Sequence, residues 1–434
     1  MLLDELSLYG ATIDDLEPDT KRFVPLAPDS LESAGVTVVQ FDGLVLRLLL
    51  NRGVASGNEI ATHICLPFRI VESELRRMKN EQLVAYRTSS HLHDHLYELT
   101  AIGHERAARS TETTTYFGAA PVQLSEYVAS VEVQALRQQR PNQSDLEGAL
   151  RDLTVSSEVM LEIGQAVYDA RAMFLFGAPG NGKTSIAERI CAAYGEAIWI
   201  PRALNIDGEV VRLFDPLVHE PVAVPQLQAV DTRWIRIRRP TIVAGGELTL
   251  ENLELSRITG SGTSEAPVQM KSNCGVLVVD DFGRQRSTPA EFLNRWIYPL
   301  ENRVDFLNVP SGKKIRVPFE QMIIFSTNLD PEHLMDEAYL RRIPYKVKAP
   351  DPSIDQFVNL FLAICHGEGV TVDRGIVEEL VQRHYIEANR PMRFCHPRDL
   401  IQQICAACDY QRMQRSVTPE LLERAVHNYF LASQ

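Results

Sequence analysis

The stretch Gly177-Ala178-Pro179-Gly180-Asn181-Gly182-Lys183-Thr184 decides the fold of this 434-residue chain. It follows a short apolar run, 172–176, that predicts a buried parallel strand, and it precedes a predicted helix over 185–194. A G-x-x-x-x-G-K-T spacing between strand and helix predicts a loop whose backbone N–H groups close around phosphates. We predict nucleotide contacts from Gly177, Ala178, Pro179, Gly180, Asn181, Gly182, Lys183, Thr184 and Ser185.

A loop of this kind needs a second strand that ends in a carboxylate. Val276 to Val279 is a run of four apolar residues followed directly by Asp280 and Asp281. The sequence predicts that Thr184 and Asp280 hold Mg²⁺, the aspartate through water, and that Lys183 reaches the β- and γ-phosphates. Asp281 is predicted to orient and polarise the attacking water.

Four further polar residues follow in order. The apolar run 322–327 predicts another buried strand, and Asn328 lies at its carboxyl end, where parallel sheets of this kind face their ligand. Arg341 and Arg342 come just beyond it. Arg398 lies in a His-Pro-Arg-Asp-Leu run that begins a predicted helix near the C-terminus.

In this order the motifs resemble those of the AAA+ ATPases, over roughly residues 155 to 430. The resemblance implies an α/β P-loop core with a parallel sheet sandwiched by helices, a C-terminal helical lid, ATP and Mg²⁺. It assigns Walker A to 177–184, Walker B to 276–281, sensor 1 to Asn328, the arginine finger to Arg341 or Arg342, and sensor 2 to Arg398. It also implies a ring, usually a hexamer, in which the finger completes a neighbour's site. Which arginine does so stays open, as does an ordinary surface salt bridge for either.

One position departs from the family pattern. Most members carry Glu after the Walker B Asp, whereas this chain has Asp281, which is one methylene shorter. With Asp281 in place of Glu, ATP hydrolysis could be slow, or another acidic residue could assist it. A protein that binds ATP and scarcely turns it over therefore stays open beside an active ATPase.

Residues 36–110 predict a compact N-terminal domain. Ser56 and Glu59 form a capping-box pattern, and the expected elements are helices over 41–50, 59–64 and 71–80, then strands over 83–87 and 96–100. This resembles the winged helix-turn-helix family, whose ending matches Tyr97, Leu99, Thr100 and Gly103. The third helix carries nearly balanced charges, which favours a protein-interaction or oligomerisation role over DNA contact.

The expected organisation is an acidic, flexible arm (1–35), the winged-helix domain (36–110), a linker with a helix (111–154), the AAA+ core (155–350) and the lid (351–434). An insertion at about 203–272 and a hairpin at about 304–319 resemble those of the MoxR and magnesium-chelatase branch. In such rings these elements face the pore or the client. Lys313 and Lys314 could touch a client, and the cluster Arg233, Arg236, Arg238 and Arg239 could bind an acidic partner, nucleic acid or a neighbouring subunit.

Charge and composition set limits on the function. The formal net charge is −13, the wrong sign for a protein whose main task is to hold DNA through counterion release. Seven scattered cysteines, with no signal peptide and no long apolar run, indicate a reducing cytoplasm and no membrane contact. The expected function is an ATPase that remodels a protein client in a chaperone-like way. A DNA-directed ATPase and a nucleotide-gated scaffold are the alternatives.

Overall fold

The structure is a computed structural model, and it describes residues 23–91, 94–195, 197–224, 230–309, 312–334 and 340–430. Its α-helices are α1 Val38–Arg52, α2 Gly57–Ile64, α3 Phe68–Asn80, α4 Ala101–Thr113, α5 Leu124–Gln134, α6 Gln143–Ala149, α7 Ser157–Asp169, α8 Lys183–Ile190, α9 Val268–Lys271, α10 Pro289–Asn302, α11 Pro331–Leu334, α12 Ile354–Gly367, α13 Arg374–Val381, α14 Cys395–Gln411 and α15 Pro419–Phe430. Its strands are β1 Val54–Ser56, β2 Val84–His91, β3 Asp94–Leu99, β4 Val122–Gln123, β5 Met173–Phe176, β6 Ala197–Pro201, β7 Ala203–Ile206, β8 Glu209–Arg212, β9 Trp234–Arg238, β10 Thr241–Ala244, β11 Ser256–Ile258, β12 Thr263–Glu265, β13 Val276–Val279, β14 Val304–Asn308, β15 Lys314–Pro318, β16 Met322–Thr327 and β17 Tyr345–Lys348.

A five-stranded parallel sheet forms the centre of the molecule, in the order β10-β13-β16-β5-β17. Successive residues of a strand point to opposite faces, and both faces are buried here, which is why β13 is apolar throughout. One face packs with α7 and α8, and the other packs against Phe292 and Trp296 of α10. The predicted α/β fold, with a parallel sheet between helices, is confirmed.

The N-terminal unit consists of α1 to α4 with an antiparallel sheet in the order β1-β3-β2. The predicted capping box is present, since Ser56 accepts from the backbone N–H of Glu59, whose side chain accepts from that of Ser56. Phe41 and Leu75 lie fully buried in the core of this unit. Thr115 N–H donates to the Ser261 carbonyl oxygen at 2.9 Å, so the end of the unit contacts the loop between β11 and β12.

Residues 23–35 do not form the solvated arm that the sequence predicted; residues 1–22 of that arm lie outside the described ranges. The Phe23 ring packs against Trp234 in a tilted arrangement, with the ring centroids 5.3 Å apart. The Asp231 N–H donates to the Pro25 carbonyl oxygen at 2.9 Å, and Ala34 is fully buried. The segment therefore packs along β9 and ties the N-terminal unit to the middle of the chain.

The predicted insertion at 203–272 is not one continuous element. Thr241–Ala244 pairs in parallel with β13 and belongs to the central sheet. Strands β7, β8, β11 and β12 of this region form a second sheet with β4, in the order β11-β12-β8-β7-β4, and β9 pairs with β6. The hairpin β14–β15 forms as an antiparallel pair, with Lys313 Nζ 2.7 Å from a carboxylate oxygen of Asp207. That predicted client-contacting lysine therefore already has an acidic partner within the chain.

The arginine cluster near β9 is mostly internal. Arg233 is 1% exposed, and Arg236 and Arg239 are 5% exposed and donate to backbone carbonyl oxygens. Only Arg238 is at the surface, where it pairs with Glu220 at 3.2 Å. Arg233, Arg236 and Arg239 are buried and donate to groups of their own chain, so these three side chains do not form a surface that binds an acidic partner, nucleic acid or a neighbouring subunit.

Replacing Arg233 by alanine is expected to lower the free energy of unfolding by about 3 kcal/mol, because it leaves the buried Asp231 carboxylate without its partner. Arg233 contacts both oxygens of Asp231, which is 2% exposed, and donates to the Ala34 carbonyl oxygen at 2.6 Å. Chemical denaturation measures the change. Arg238→Ala is the matched control, since its pair with Glu220 is exposed and is worth about 0–1 kcal/mol. Equal effects of the two variants would contradict the prediction.

The C-terminal helices α12 to α15 pack around their own core, which includes Phe361 and Leu400. Ser353 caps α12 with a capping box to Gln356, as expected for a helix that begins after Pro352. All seven cysteines are free thiols, and Cys408 is buried in this core. Among the described helices, none combines the length and apolarity needed to cross a lipid bilayer.

Candidate nucleotide-binding site

The glycine-rich loop joins β5 to α8 at the carboxyl edge of the central sheet. Gly177 and Gly180 have φ angles of 144° and 85°, which disfavour residues with a side chain. A Cβ on Gly177 would lie 2.4 Å from the Ala349 carbonyl oxygen, and one on Gly180 would lie 2.5 Å from Cys395 Sγ. Close approach on two sides therefore requires glycine at both positions.

Lys183 opens α8, and its ammonium group lies at the centre of the site. Its Nζ donates to the carbonyl oxygens of Gly177 and Ala178, both at 3.0 Å, and to Oδ1 of Asn328 at 2.7 Å. Burial lowers the pKa of Lys183, and the carboxylates of Asp280 and Asp281 partly oppose that shift. The ammonium group is thus held over the loop. Its N–H groups, which here donate to loop carbonyl oxygens, can donate to a phosphate oxygen instead.

Two hydrogen bonds join the predicted metal and water-orienting residues to this centre. Thr184 Oγ1 donates to Oδ2 of Asp280 at 2.8 Å. Asn328 Nδ2 donates to Oδ1 of Asp281 at 2.9 Å, while the other end of the same amide accepts from Lys183. Asn328 therefore connects the lysine that is predicted to bind phosphate to the carboxylate that is predicted to polarise water.

A cleft of about 650 Å³ opens above the loop. At one end lie Thr184, Asp280, Asp281 and Asn328; the other end is apolar and is lined by Leu153, Val155, Leu360, Ile364 and Phe394. The charged end suits a triphosphate with its cation, because carboxylate and hydroxyl oxygens are the ligands that Mg²⁺ prefers. The apolar end suits a planar base. The residues present fit Mg²⁺–ATP.

The C-terminal helical unit contacts the loop directly. Asn181 Nδ2 donates to Oδ1 of Asp351 at 2.7 Å, and the other oxygen of Asp351 pairs with Arg393. The Cys395 N–H, at the start of α14, donates to the Gly180 carbonyl oxygen at 2.9 Å. Sequence reasoning missed Asp351 and Arg393, because 170 residues separate Asn181 from Asp351 and no local pattern connects them.

Asp351→Ala is expected to weaken nucleotide binding about 5-fold, because Asn181 loses a charged acceptor in a half-exposed setting, worth about 1 kcal/mol. Titration with a fluorescent ATP analogue measures the dissociation constant. Asp355→Ala, an exposed carboxylate in the first turn of α12, is the matched control. Equal affinities of Asp351→Ala and the parent chain would show that the contact does not position the loop.

The predicted arginines differ in placement. Arg398 lines the cleft from α14, with a side chain 65% exposed. Arg342 Nε lies 2.9 Å from Glu301 at the end of α10. Arg341 is exposed, and no ion pair with it occurs in the described part of the chain. Neither Arg341 nor Arg342 lines the cleft of its own chain among the described residues.

Comparison with known proteins gives one family match. A model described as a domain of unknown function, DUF8689, matches residues 353–428, which is the C-terminal helical unit. No curated protein matches the chain in sequence.

RuvB and NtrX are among the proteins whose solved structures are similar to this chain. The P216G mutant of RuvB from Thermotoga maritima is 11% identical, with a TM-score of 0.37 over 68% of this chain and 72% of that one. NtrX from Brucella abortus in complex with ATP is 17% identical, with a TM-score of 0.40 over 67% of this chain and 60% of that one. These scores are too low to carry an argument, so the fold rests on the strand order and contacts of the chain itself.

Proposed function

We propose that this protein is an AAA+ ATPase that couples ATP binding and hydrolysis to chaperone-like remodelling of a protein client in an oligomeric ring. One observation carries the ATPase part. Lys183, the Thr184–Asp280 pair and the Asn328–Asp281 pair meet at one end of a single cleft. The strand order supports it, since the loop-bearing strand β5 lies between β17 and the Asn328-bearing strand β16, with β13 next.

The chain's residues would divide the chemistry among them. When bound, Mg²⁺–ATP supplies the phosphoryl group to be transferred to water. Lys183 exchanges its loop carbonyl partners for phosphate oxygens, and Thr184 and Asp280 hold the cation. Asp281 orients and polarises the attacking water, and Asn328 senses the terminal phosphate because its amide contacts both Lys183 and Asp281. Arg398 adds positive charge from the C-terminal helices, which act as the lid.

The placement of the arginine finger candidates supports the proposed ring. Since Arg341 is exposed and does not line its own cleft, a neighbouring subunit's cleft is the place where it can act. We assign the finger to Arg341 rather than Arg342, which Glu301 holds. A hexamer, the cytoplasm and the MoxR-like branch are parts of the same proposal. The proposal also includes the domain boundaries, with a winged-helix domain at 36–110 and a helical lid at 351–434.

A protein client is favoured over duplex DNA by the charges on α3. Arg76 lies 2.5 Å from Glu72, and Arg77 pairs with Glu74 at 2.7 Å and Glu81 at 2.8 Å, besides Asp42. A recognition helix needs its basic side chains free to reach base edges and phosphates. Here acids of the same domain pair with Arg76 and Arg77, two of the four basic side chains of this helix, which supports protein interaction as the role of this unit.

The first experiment is the ATPase rate per subunit against protein concentration, with mass photometry in parallel. We expect the rate to rise as the oligomer forms, because the finger acts between subunits. Stimulation by an unfolded protein would support client remodelling, whereas salt-dependent stimulation by duplex DNA would favour the DNA-directed alternative. Tight ATP binding with no turnover at any concentration would refute the ATPase and leave a nucleotide-gated scaffold.

A further inference from the structure

Three cations of this chain line the cleft in the described residues: Lys183, Arg284 and Arg398. The first and last match the motifs discussed above, but Arg284 does not. Its side chain is exposed, and it forms no ion pair with Asp280 or Asp281, or with any other acid in the described ranges. Arg284 therefore brings an uncompensated positive charge to the end of the cleft where Thr184 and Asp280 would hold the cation.

The turn that carries Arg284 is braced on several sides. The Arg284 N–H donates to the Asp281 carbonyl oxygen at 2.9 Å. Gln285 accepts from the Gly283 N–H and donates to the Asp280 carbonyl oxygen, both at 2.9 Å.

Phe282, at 1% exposure, packs against Phe325 with ring centroids 4.8 Å apart, and its backbone is bonded to β16. A turn fixed in this way holds the Cα of Arg284 at a constant place beside Asp281. The side chain of Arg284 is exposed and lines the cleft.

We propose that Arg284 binds the terminal phosphate of the nucleotide in its own chain and stabilises the charge that develops during transfer. This inference rests on the proposed ATPase function and adds a catalytic residue to it. It gives the site an arginine from the same subunit, in addition to the finger from the neighbour. A guanidinium group at this position would stabilise the negative charge of the transition state electrostatically, in a preorganised site.

The position of Arg284 also indicates that it acts on the nucleotide of its own subunit. Arg284 follows Asp281 by three residues in one hydrogen-bonded turn, so it keeps its position relative to the water-orienting carboxylate whatever the arrangement of subunits. Arg398, in contrast, is carried by α14, which belongs to the C-terminal helical unit. Arg286 is exposed two residues further along the same loop and does not line the cleft among the described residues, which makes it a matched control.

The test compares Arg284→Ala, Arg284→Lys and Arg286→Ala. We expect Arg284→Ala to lower kcat about 100-fold, the loss typical of removing one such donor, and to bind ADP as the parent chain does. Because the residue would act on the terminal phosphate, ADP with aluminium fluoride should bind less tightly to Arg284→Ala, while ADP alone should not. Arg284→Lys should recover part of the rate, and Arg286→Ala should leave it unchanged. Thermal melting checks that each variant is folded.

Mixing subunits separates action within a chain from action between chains. Lys183→Ala subunits have a dead site but supply an intact surface to a neighbour. Added in excess to Arg284→Ala subunits, they should restore nothing, because the missing group belongs to the active chain. Restoration of the rate, or an unchanged kcat and aluminium fluoride affinity in Arg284→Ala, would overturn the inference. If the parent chain itself bound no nucleotide, the proposed function would fail as well, and this outcome is distinct.

Discussion

Arg341→Ala is expected to lower kcat about 1000-fold while ATP still binds, in line with the loss of an arginine finger supplied by a neighbouring subunit. Binding should persist because Lys183, Thr184 and Asn328 lie in the variant's own cleft and do not contact Arg341. Steady-state kinetics measure kcat, and titration with a fluorescent ATP analogue measures affinity. A single-turnover assay shows that the transfer step itself is slowed.

The control and the mixing assay make this prediction specific. Arg342→Ala removes the contact with Glu301, a half-exposed pair, so its main effect should be a loss of about 0–1 kcal/mol in stability. Lys183→Ala subunits mixed with Arg341→Ala subunits should restore turnover, since the former supply the arginine and the latter the intact site. If Arg342→Ala loses the rate and Arg341→Ala keeps it, the finger is Arg342. If mixing restores nothing, the arginine does not act between subunits.

Asp281→Asn is expected to lower kcat about 1000-fold, within the range that a positioned base contributes, and to leave ATP bound and unhydrolysed. The substitution isolates the charge. Asp281 has a φ of 48°, a left-handed conformation that asparagine tolerates, and the new amide oxygen can still accept from Asn328 Nδ2. Quench-flow separates binding from cleavage, and retained ATP binding serves as the folding control.

A residual rate above about one tenth of the parent value would contradict this assignment, because general-base assistance contributes about 100-fold or more. Such a result would indicate that another acid polarises water in this site. Asp355→Asn, in an exposed turn of α12, is the matched substitution and should leave kcat unchanged.

The N-terminal segment illustrates where the sequence predictions failed. Eight acids and three prolines in residues 1–35 indicate a solvated arm, and composition carries no information on partners far along the chain. For 23–35 those partners are Trp234, Asp231 and Arg233, about 200 residues away. The arginine cluster at 233–239 was misjudged for the same reason, since charge predicts exposure unless a buried acid or carbonyl group satisfies it.

By itself, the sequence determined the central fold and which residues meet at the predicted phosphate-binding end of the cleft. Short apolar runs followed by polar residues are typical of parallel strands that are buried on both faces. The carboxyl ends of parallel strands lie at one edge of the sheet, so Lys183, Asp280 and Asn328 were predictable neighbours. Only the tertiary structure decided which arginines are exposed, that Asp351 joins the loop to the C-terminal helices, and that Arg284 faces the cleft. These three features depend on the path of the chain between helices and strands. Contacts between residues far apart in the sequence produce no local pattern from which they could be predicted.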